Sequence, residues 1–245
     1  MKLVTYNLQF GGRGCLHWDE IIKQFDPDLL FVQESFAPDL HLPPMLHGER
    51  YKRATWDRVE GENRVLDWGS GVYSKAYSPV PIQVLAERGW VTAAEIQNFA
   101  FLDTPPQRLR TVSLHAATRK PPNYAAEVNA ALDGLLAFRD DGELVIAGDF
   151  NLTVSPRHSS EKRPMTSAEL KIQSRLRDEF GLVNCWERCN PNQPLAQTLR
   201  DYSQTHCDGI FVPIRWGERL RSCTVLAGEP WDKLSDHYPV VAEFS

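Results

Sequence analysis

Two short polar runs in this chain have residue types that could carry out hydrolytic chemistry. Gly148-Asp149-Phe150-Asn151 directly follows the apolar run Leu144–Ala147, and Ser235-Asp236-His237 precedes the apolar run Tyr238–Val241. Either run alone is weak evidence, because Asp and Asn are common turn formers after strands. Together with the polar residues upstream, they indicate a metal-dependent phosphoester hydrolase, in which carboxylates hold a cation and an imidazole moves a proton.

The upstream residues repeat the pattern of a polar side chain at the end of an apolar strand. Asn7 follows Leu3–Tyr6, Glu34 closely follows Leu29–Val32, His115 follows Arg110–Leu114, and Asp208 lies at the start of Cys207–Val212. A rigid sheet that carries polar groups along one rim is a common way to build a precise site. Taken singly, Asn7 could be a turn former, Glu34 part of a solvated loop and His115 a core histidine.

Four acidic residues belong to these strand ends: Glu34, Asp149, Asp208 and Asp236. If they converge, neighbouring pairs repel by about 4 kcal/mol at 4 Å and an effective dielectric constant of 20. A divalent cation relieves this repulsion without loss of the charges. Carboxylate and amide oxygens are hard donors, so the predicted cofactor is Mg²⁺ or Mn²⁺ rather than zinc.

Seven motifs in order make the chain resemble the endonuclease/exonuclease/phosphatase superfamily, which includes DNase I and exonuclease III. They are Tyr6-Asn7, Gln33-Glu34, Gly71-Val72-Tyr73-Ser74, Ser113-Leu114-His115, Gly148-Asp149-Phe150-Asn151, Cys207-Asp208-Gly209-Ile210-Phe211 and Ser235-Asp236-His237. The resemblance covers nearly the whole chain. It implies an α/β fold, a four-layer sandwich of two mixed β-sheets flanked by helices on both outer faces.

The resemblance also implies a metal site. Glu34 would be the main metal ligand, and Asn7 would assist it. Asp236 would contribute directly or through a water molecule.

The catalytic roles follow from the same resemblance. Asp149 would orient or deprotonate the attacking water, and Asn151 would hold a phosphate oxygen. His237, paired with Asp208, would stabilise the transition state or move a proton, and His115 would contact the phosphate on the leaving-group side. Phosphoryl transfer independently favours such a set, because it depends mainly on positioning and on charge stabilisation at the non-bridging oxygens.

Composition predicts a compact enzyme with a single domain over residues 1–245. Hydrophobic residues are 42% and charged residues 24% of the chain, as in ordinary globular proteins. No apolar run reaches the length of a membrane helix, and the first predicted strand begins at Lys2, so we expect neither a membrane contact nor a secretory leader. The five cysteines include no CxxC pair, and their odd number argues against a disulfide framework. We therefore predict a cytoplasmic protein with free thiols.

Local patterns place helices between the strands. Trp18, Ile21, Ile22 and Phe25 recur at helical spacing, and Asp26-Pro27 would end that helix. Asn123 is expected to cap a helix that runs to about Arg139. Thr166-Ser167-Ala168-Glu169 predicts a capping box for a helix that ends at Gly181. Besides the strands before Asn7 and Glu34, six further strands are expected at 70–74, 91–101, 110–115, 143–148, 207–212 and 238–244.

The substrate is less clear from the sequence. The net charge is −5, so no global basic field points to a protein that coats DNA. The loop after Asn151 carries Arg157, Lys162 and Arg163, which are candidates for phosphate contacts. Three tryptophans are candidates for stacking on an unpaired base, namely Trp56, Trp68 and Trp231. The alternative for these residues is solvated loops and ordinary aromatic anchors.

The favoured function is that of a Mg²⁺-dependent phosphodiester hydrolase that acts as a DNA or RNA nuclease. The alternative is a phosphatase or phosphodiesterase acting on a small phosphorylated metabolite or nucleotide. A non-catalytic binding module of the same fold is disfavoured, because the candidate catalytic residues are all present. Nucleic acid is thus the expected partner, and no obligate protein partner is evident.

Overall fold

The computed structural model describes residues 1–9, 16–36, 53–59, 68–84, 90–101, 107–116, 123–139, 142–156, 164–200 and 205–245. Within these ranges the chain forms two six-stranded sheets. The predicted phosphate-contact residues Arg157, Lys162 and Arg163 lie outside the described residues.

The first sheet has the strand order β11-β12-β1-β2-β4-β3. Its strands are β1 (Lys2–Asn7), β2 (Leu29–Phe36), β3 (Arg53–Arg58), β4 (Trp68–Ser74), β11 (Leu220–Val225) and β12 (Val240–Phe244). Strands β1 and β2 are parallel, whereas β12 and β4 run antiparallel to them on either side.

The second sheet repeats this arrangement with the order β5-β6-β7-β8-β10-β9. Its strands are β5 (Val80–Pro81), β6 (Val91–Phe99), β7 (Gln107–His115), β8 (Glu143–Asp149), β9 (Leu182–Asn184) and β10 (Asp208–Pro213). Here β7 and β8 are the parallel pair, flanked by antiparallel β6 and β10. Both sheets are therefore mixed, as predicted.

Four α-helices occur in the described part of the chain: α1 (Leu16–Gln24), α2 (Tyr124–Leu135), α3 (Ser167–Ser174) and α4 (Cys185–Cys189). The Asn123 side chain caps α2, and Thr166 and Glu169 form the predicted capping box of α3. The helical path continues from α3 through a π-helical turn at Arg175–Glu179, and Gly181 follows with a φ of +64°. None of the described helices is long and apolar enough to span a membrane.

Three apolar clusters show the four layers. Residues that include Leu3, Phe31, Val145 and Ile210 fill the space between the sheets. The outer face of the first sheet packs against α1, which contributes Trp18 and Ile21. The outer face of the second sheet packs against α2 and α3, which contribute Val128, Leu132 and Ile172. The predicted sandwich with helices on both outer faces is therefore confirmed.

The topology brings the candidate residues to one rim of the sandwich. The parallel pair β1 and β2 delivers Asn7 and Glu34 there, and the parallel pair β7 and β8 delivers His115 and Asp149. Strand β10 runs antiparallel to β8, so its first residue, Asp208, pairs with Asp149. Antiparallel pairing of β12 with β1 likewise places the segment before β12 at the same rim.

Candidate active site

Alternation along the strands decides which side chains face the space between the sheets. In β1, Leu3 belongs to the inter-sheet core and Val4 to the outer cluster, so Asn7 shares the inner face with Leu3. In β8, Val145 and Ala147 face inward, and Asp149 continues that series. The two faces meet where the Asn7 amide nitrogen donates to Asp149 Oδ2 at 3.0 Å.

Glu34 reaches the same space through an irregularity in β2. Regular alternation would give Glu34 the outward direction of Leu30 and Val32, because Gln33 faces inward and donates to Ser113 Oγ at 2.9 Å. The pairing of β2 with β4 shifts between Val32 and Ser35, and Glu34 has a φ of +51°. Such a bulge re-aims a side chain. Glu34 Oε1 consequently lies 3.3 Å from the Asn7 amide nitrogen and 3.6 Å from His115 Nε2.

Asp149 is the centre of the contacts at the rim. Its Oδ1 accepts from the backbone N–H of Asn151 at 2.8 Å, and its Oδ2 accepts from Asn7. The same Oδ2 lies 3.6 Å from His237 Nε2 and 3.8 Å from His115 Nε2. The carboxylate is buried and its orientation is fixed from both sheets, which suits a group that must hold a reactant in one position.

Gly148 permits the approach of β8 to β7 at this point. Its φ is +150°, and a Cβ atom there would lie 1.8 Å from the carbonyl oxygen of Leu114. Leu114 precedes His115, so a side chain at Gly148 would separate the two strands that deliver His115 and Asp149.

Asp208 and His237 form a buried pair. His237 Nδ1 lies 2.9 Å from Asp208 Oδ2, within hydrogen-bond distance. Burial alone would lower the pKa of the imidazole, but Asp208 and Asp149 outweigh it and raise the pKa to about 10. The two carboxylates therefore favour the imidazolium form, in which one N–H is directed to Asp208 and the other faces Asp149.

Asn151 and Asp236 are half-buried and lie beside this cluster. Asn151 has a φ of +54°, and its side-chain amide donates to the Ala116 carbonyl at 3.1 Å, so one N–H of the amide group is used by the protein. Asp236 Oδ1 lies 3.4 Å from Ser235 Oγ. A metal-ligand role for Asp236 stays a prediction.

Sequence reasoning assigned no role to two residues that hold the catalytic candidates in place. Thr198 Oγ1 accepts from the backbone N–H groups of Cys207 and Asp208, and Ser235 Oγ donates to the Asn7 carbonyl at 2.8 Å while accepting from the His237 N–H. Cys207 was predicted to be an ordinary thiol. Its side chain instead belongs to a buried group with Asp149, Asp208 and His237, in which one potential ligand atom per residue lies within 4.8 Å of the others.

Two of the three tryptophans proposed for base stacking are buried. Trp68 packs against Trp90 and His115, with ring centroids 5.2 and 5.8 Å away, and Trp231 packs against Tyr6. The prediction that Trp68 or Trp231 stacks on a base was therefore wrong. Trp56 is half-buried and donates from its indole to Ser35 Oγ, so stacking by Trp56 stays a prediction.

Comparison with known proteins assigns the family. The profile described as "Endonuclease/Exonuclease/phosphatase family" matches residues 4–237. The chain belongs to this family. No curated protein matches the sequence. Members of the family hydrolyse phosphoric esters, and the rim described above has the same kinds of groups that such chemistry uses.

Solved structures of this family share the fold over the full chain. The 3'-5' exonuclease NExo from Neisseria meningitidis is 19% identical, with 100% of both chains covered and a TM-score of 0.70. An AP endonuclease from Archaeoglobus fulgidus is 18% identical, with 100% of this chain and 99% of that chain covered and a TM-score of 0.69. The catalytic domain of Xenopus laevis APE2 is 16% identical, with 100% and 91% covered and a TM-score of 0.71.

Proposed function

We propose that this protein is a divalent-metal-dependent nuclease that hydrolyses phosphodiester bonds in DNA or RNA. The observation that carries the proposal is the arrangement around Asp149. Its carboxylate is oriented by the side-chain amide of Asn7 and the backbone N–H of Asn151, and it faces the imidazole of His237. Such a set can position a water molecule on one side of a phosphate and stabilise charge on the other.

The residues present suit a hard divalent cation. Glu34 is half-buried at the rim beside Asn7, and the buried carboxylates of Asp149 and Asp208 add negative charge within the same cluster. Glu34, with Asn7 and Asp236, would hold Mg²⁺ or Mn²⁺. The bound ion would neutralise charge on the phosphate and polarise it toward attack.

The chain's own groups then divide the remaining work. Asp149 orients the attacking water and accepts its proton at a carboxylate oxygen. The imidazolium of His237, held by Asp208, donates to a non-bridging phosphate oxygen and stabilises the charge that develops there. The second N–H of the Asn151 amide group holds another phosphate oxygen, and His115 contacts the phosphate on the leaving-group side.

A nucleic-acid substrate is supported by the structural relatives. NExo is described as a 3'-5' exonuclease, and a second structure of it as a 3' phosphatase bound to a product DNA hairpin. The Archaeoglobus fulgidus relative is described as an AP endonuclease. The phosphatase description also supports activity on phosphate monoesters. The following experiment distinguishes that activity from cleavage of nucleic acid.

The test is incubation with Mg²⁺ and four substrates: single-stranded DNA, duplex DNA, RNA and a panel of small phosphate monoesters. We expect cleavage of at least one nucleic acid, its loss with EDTA, and its recovery with excess Mg²⁺ or Mn²⁺. Turnover confined to small monoesters would assign the protein to the metabolite alternative. Absence of turnover on every substrate would contradict a catalytic role.

Arg200 supplies a cation at the rim that fits a polyanionic substrate. Its backbone N–H donates to the Asp236 carbonyl at 2.8 Å, and its guanidinium donates to the Ser235 carbonyl at 2.7 Å. The side chain is exposed and has no carboxylate partner among the described residues. One of its five N–H donors is thus used on a neutral acceptor, and its positive charge remains available to a phosphate.

Replacing Arg200 with Gln is expected to weaken nucleic-acid binding for all sequences alike. If Arg200 makes one phosphate contact, the slope of log affinity against log salt concentration should fall by roughly one unit. Hydrolysis of bis-p-nitrophenyl phosphate should change little, because the catalytic groups are untouched. Fluorescence anisotropy at several salt concentrations measures the slope.

Arg221→Gln is the matched control for this variant. Arg221 is also exposed, but it lies on β11 near Leu220, which pairs with Phe244 at the end of the sheet away from Asn7. Its removal changes the net charge equally without touching the rim. Equal effects of the two substitutions would show that Arg200 acts only through overall charge, and would contradict the contact.

A further inference from the structure

The buried group at the base of the rim has a donor set that differs from the oxygen donors beside Glu34. It combines one thiol, one imidazole and two carboxylates, from Cys207, His237, Asp149 and Asp208. All four residues are buried, and one potential ligand atom from each lies within 4.8 Å of the other three. Mixed sulfur, nitrogen and oxygen donors favour zinc-like ions, whereas Mg²⁺ avoids sulfur.

An unsatisfied atom in the same group points to a ligand. Asp208 Oδ2 accepts from Cys207 Sγ at 3.4 Å and lies 2.9 Å from His237 Nδ1, but Asp208 Oδ1 is buried and has no hydrogen-bond partner among the described residues. A buried carboxylate oxygen without a partner is costly, and a bound cation removes that cost.

We propose that Asp149, Cys207, Asp208 and His237 form a second metal site, selective for a thiophilic divalent cation such as Zn²⁺, whose occupation inhibits the enzyme. The ligand atoms of a tetrahedral zinc site lie about 3.3–3.7 Å apart, given bond lengths of about 2.0–2.3 Å. Atoms already within 4.8 Å of one another reach that geometry by rotamer shifts of about 1 Å. Binding would release two protons to solvent, one from the Cys207 thiol and one from the His237 imidazolium, because both ligand atoms must be deprotonated to bind the ion.

Inhibition follows from the identity of the ligands. A zinc ion in this site would occupy the carboxylate of Asp149 and the imidazole of His237, the two groups that the proposed mechanism uses on water and on the phosphate. The site at Glu34 would stay available to Mg²⁺. Zinc should therefore inhibit even when Mg²⁺ is saturating, in contrast to simple competition for one site.

Cobalt(II) titration of the purified protein tests the site without any substrate. We expect a thiolate-to-cobalt charge-transfer band that saturates with one equivalent and is displaced by Zn²⁺. Cys207→Ala should abolish the band and weaken zinc binding by at least about tenfold, as loss of a direct ligand does. Cys207→Ser, which keeps a hydroxyl toward Thr198 and Asp208, should also lack the band.

Cys185→Ala is the matched control, because Cys185 is equally buried but lies in the core between the sheets. Its cobalt spectrum should match that of the unmodified protein. Thermal unfolding of each variant shows that it is folded. A missing charge-transfer band in the unmodified protein, or an unchanged band in both folded Cys207 variants, would overturn the site.

The inhibitory role rests on the proposed function and has its own readout. With saturating Mg²⁺, Zn²⁺ should suppress phosphodiester cleavage by the unmodified protein and by Cys185→Ala, but require at least about tenfold more zinc for Cys207→Ala. Equal zinc sensitivity of all three would refute inhibition through this site. An inactive protein that still gives the cobalt band would leave the metal site standing and count against the proposed nuclease instead.

Discussion

Asp149→Asn is expected to lower the turnover of a phosphodiester substrate by about 100-fold or more, in line with the loss of a positioned base. The substitution keeps one oxygen for the Asn151 N–H but places an NH₂ group where Asn7 donates to Oδ2. It therefore removes the proton acceptor and disturbs the contact between the sheets. Steady-state kinetics at saturating substrate measure the effect.

His237→Ala should give a loss of similar size, and Asp208→Asn a smaller one if Asp208 only orients the imidazole. Asp178→Asn is a control for a generic loss of negative charge, because Asp178 is exposed on the π-helical turn. Thermal unfolding and circular dichroism establish that each variant is folded. Turnover near that of the unmodified protein in folded Asp149→Asn would remove Asp149 from the catalytic set.

Glu34→Gln is expected to weaken Mg²⁺ binding by about tenfold or more, because the number of charged ligands strongly tunes the affinity of oxygen-donor sites. Gln has nearly the same shape and can adopt the same bulged backbone, so the fold should persist. Isothermal titration calorimetry compares the Mg²⁺ affinities directly. Activity should recover in part at high Mg²⁺ concentration if the lost charge acts only through the metal.

Glu218→Gln is the control for this variant, since Glu218 is exposed in the helical turn Ile214–Glu218. Its Mg²⁺ affinity should equal that of the unmodified protein. An unchanged affinity in Glu34→Gln would refute the assignment of Glu34 as the main ligand. Equal weakening in both variants would indicate a nonspecific charge effect.

The polar strand ends could be predicted from the sequence because alternation in a buried strand is a local property. Val145, Ala147 and Asp149 share one face whatever the rest of the fold does, and so do Leu3 and Asn7. The helix caps at Asn123 and Thr166 could be predicted for the same reason, because a capping side chain contacts the backbone only three residues further along.

Other features depend on contacts between distant segments and left no local signal. The bulge that turns Glu34 inward is defined by the pairing of β2 with β4, and the π-helical turn after α3 has no distinctive pattern. Cys207 adjoins Asp208, and neighbours in an extended strand point to opposite faces. Strand β10 begins only at Asp208, so the alternation of a strand does not apply to Cys207. Its side chain therefore lies in the same buried group as Asp208.

The position of β1 in the first sheet has a consequence for biosynthesis. Within its sheet this strand is synthesised before the other five, yet it lies between β2 and β12, and β12 follows His237. Until the ribosome releases β12, one edge of β1 remains unpaired and can recruit other chains. A nascent chain, or one cleaved before Ser235, would lack both the cover for that edge and the imidazole of the site. The cover for the edge of β1 and the imidazole of the site thus both depend on the same segment, residues 235–244.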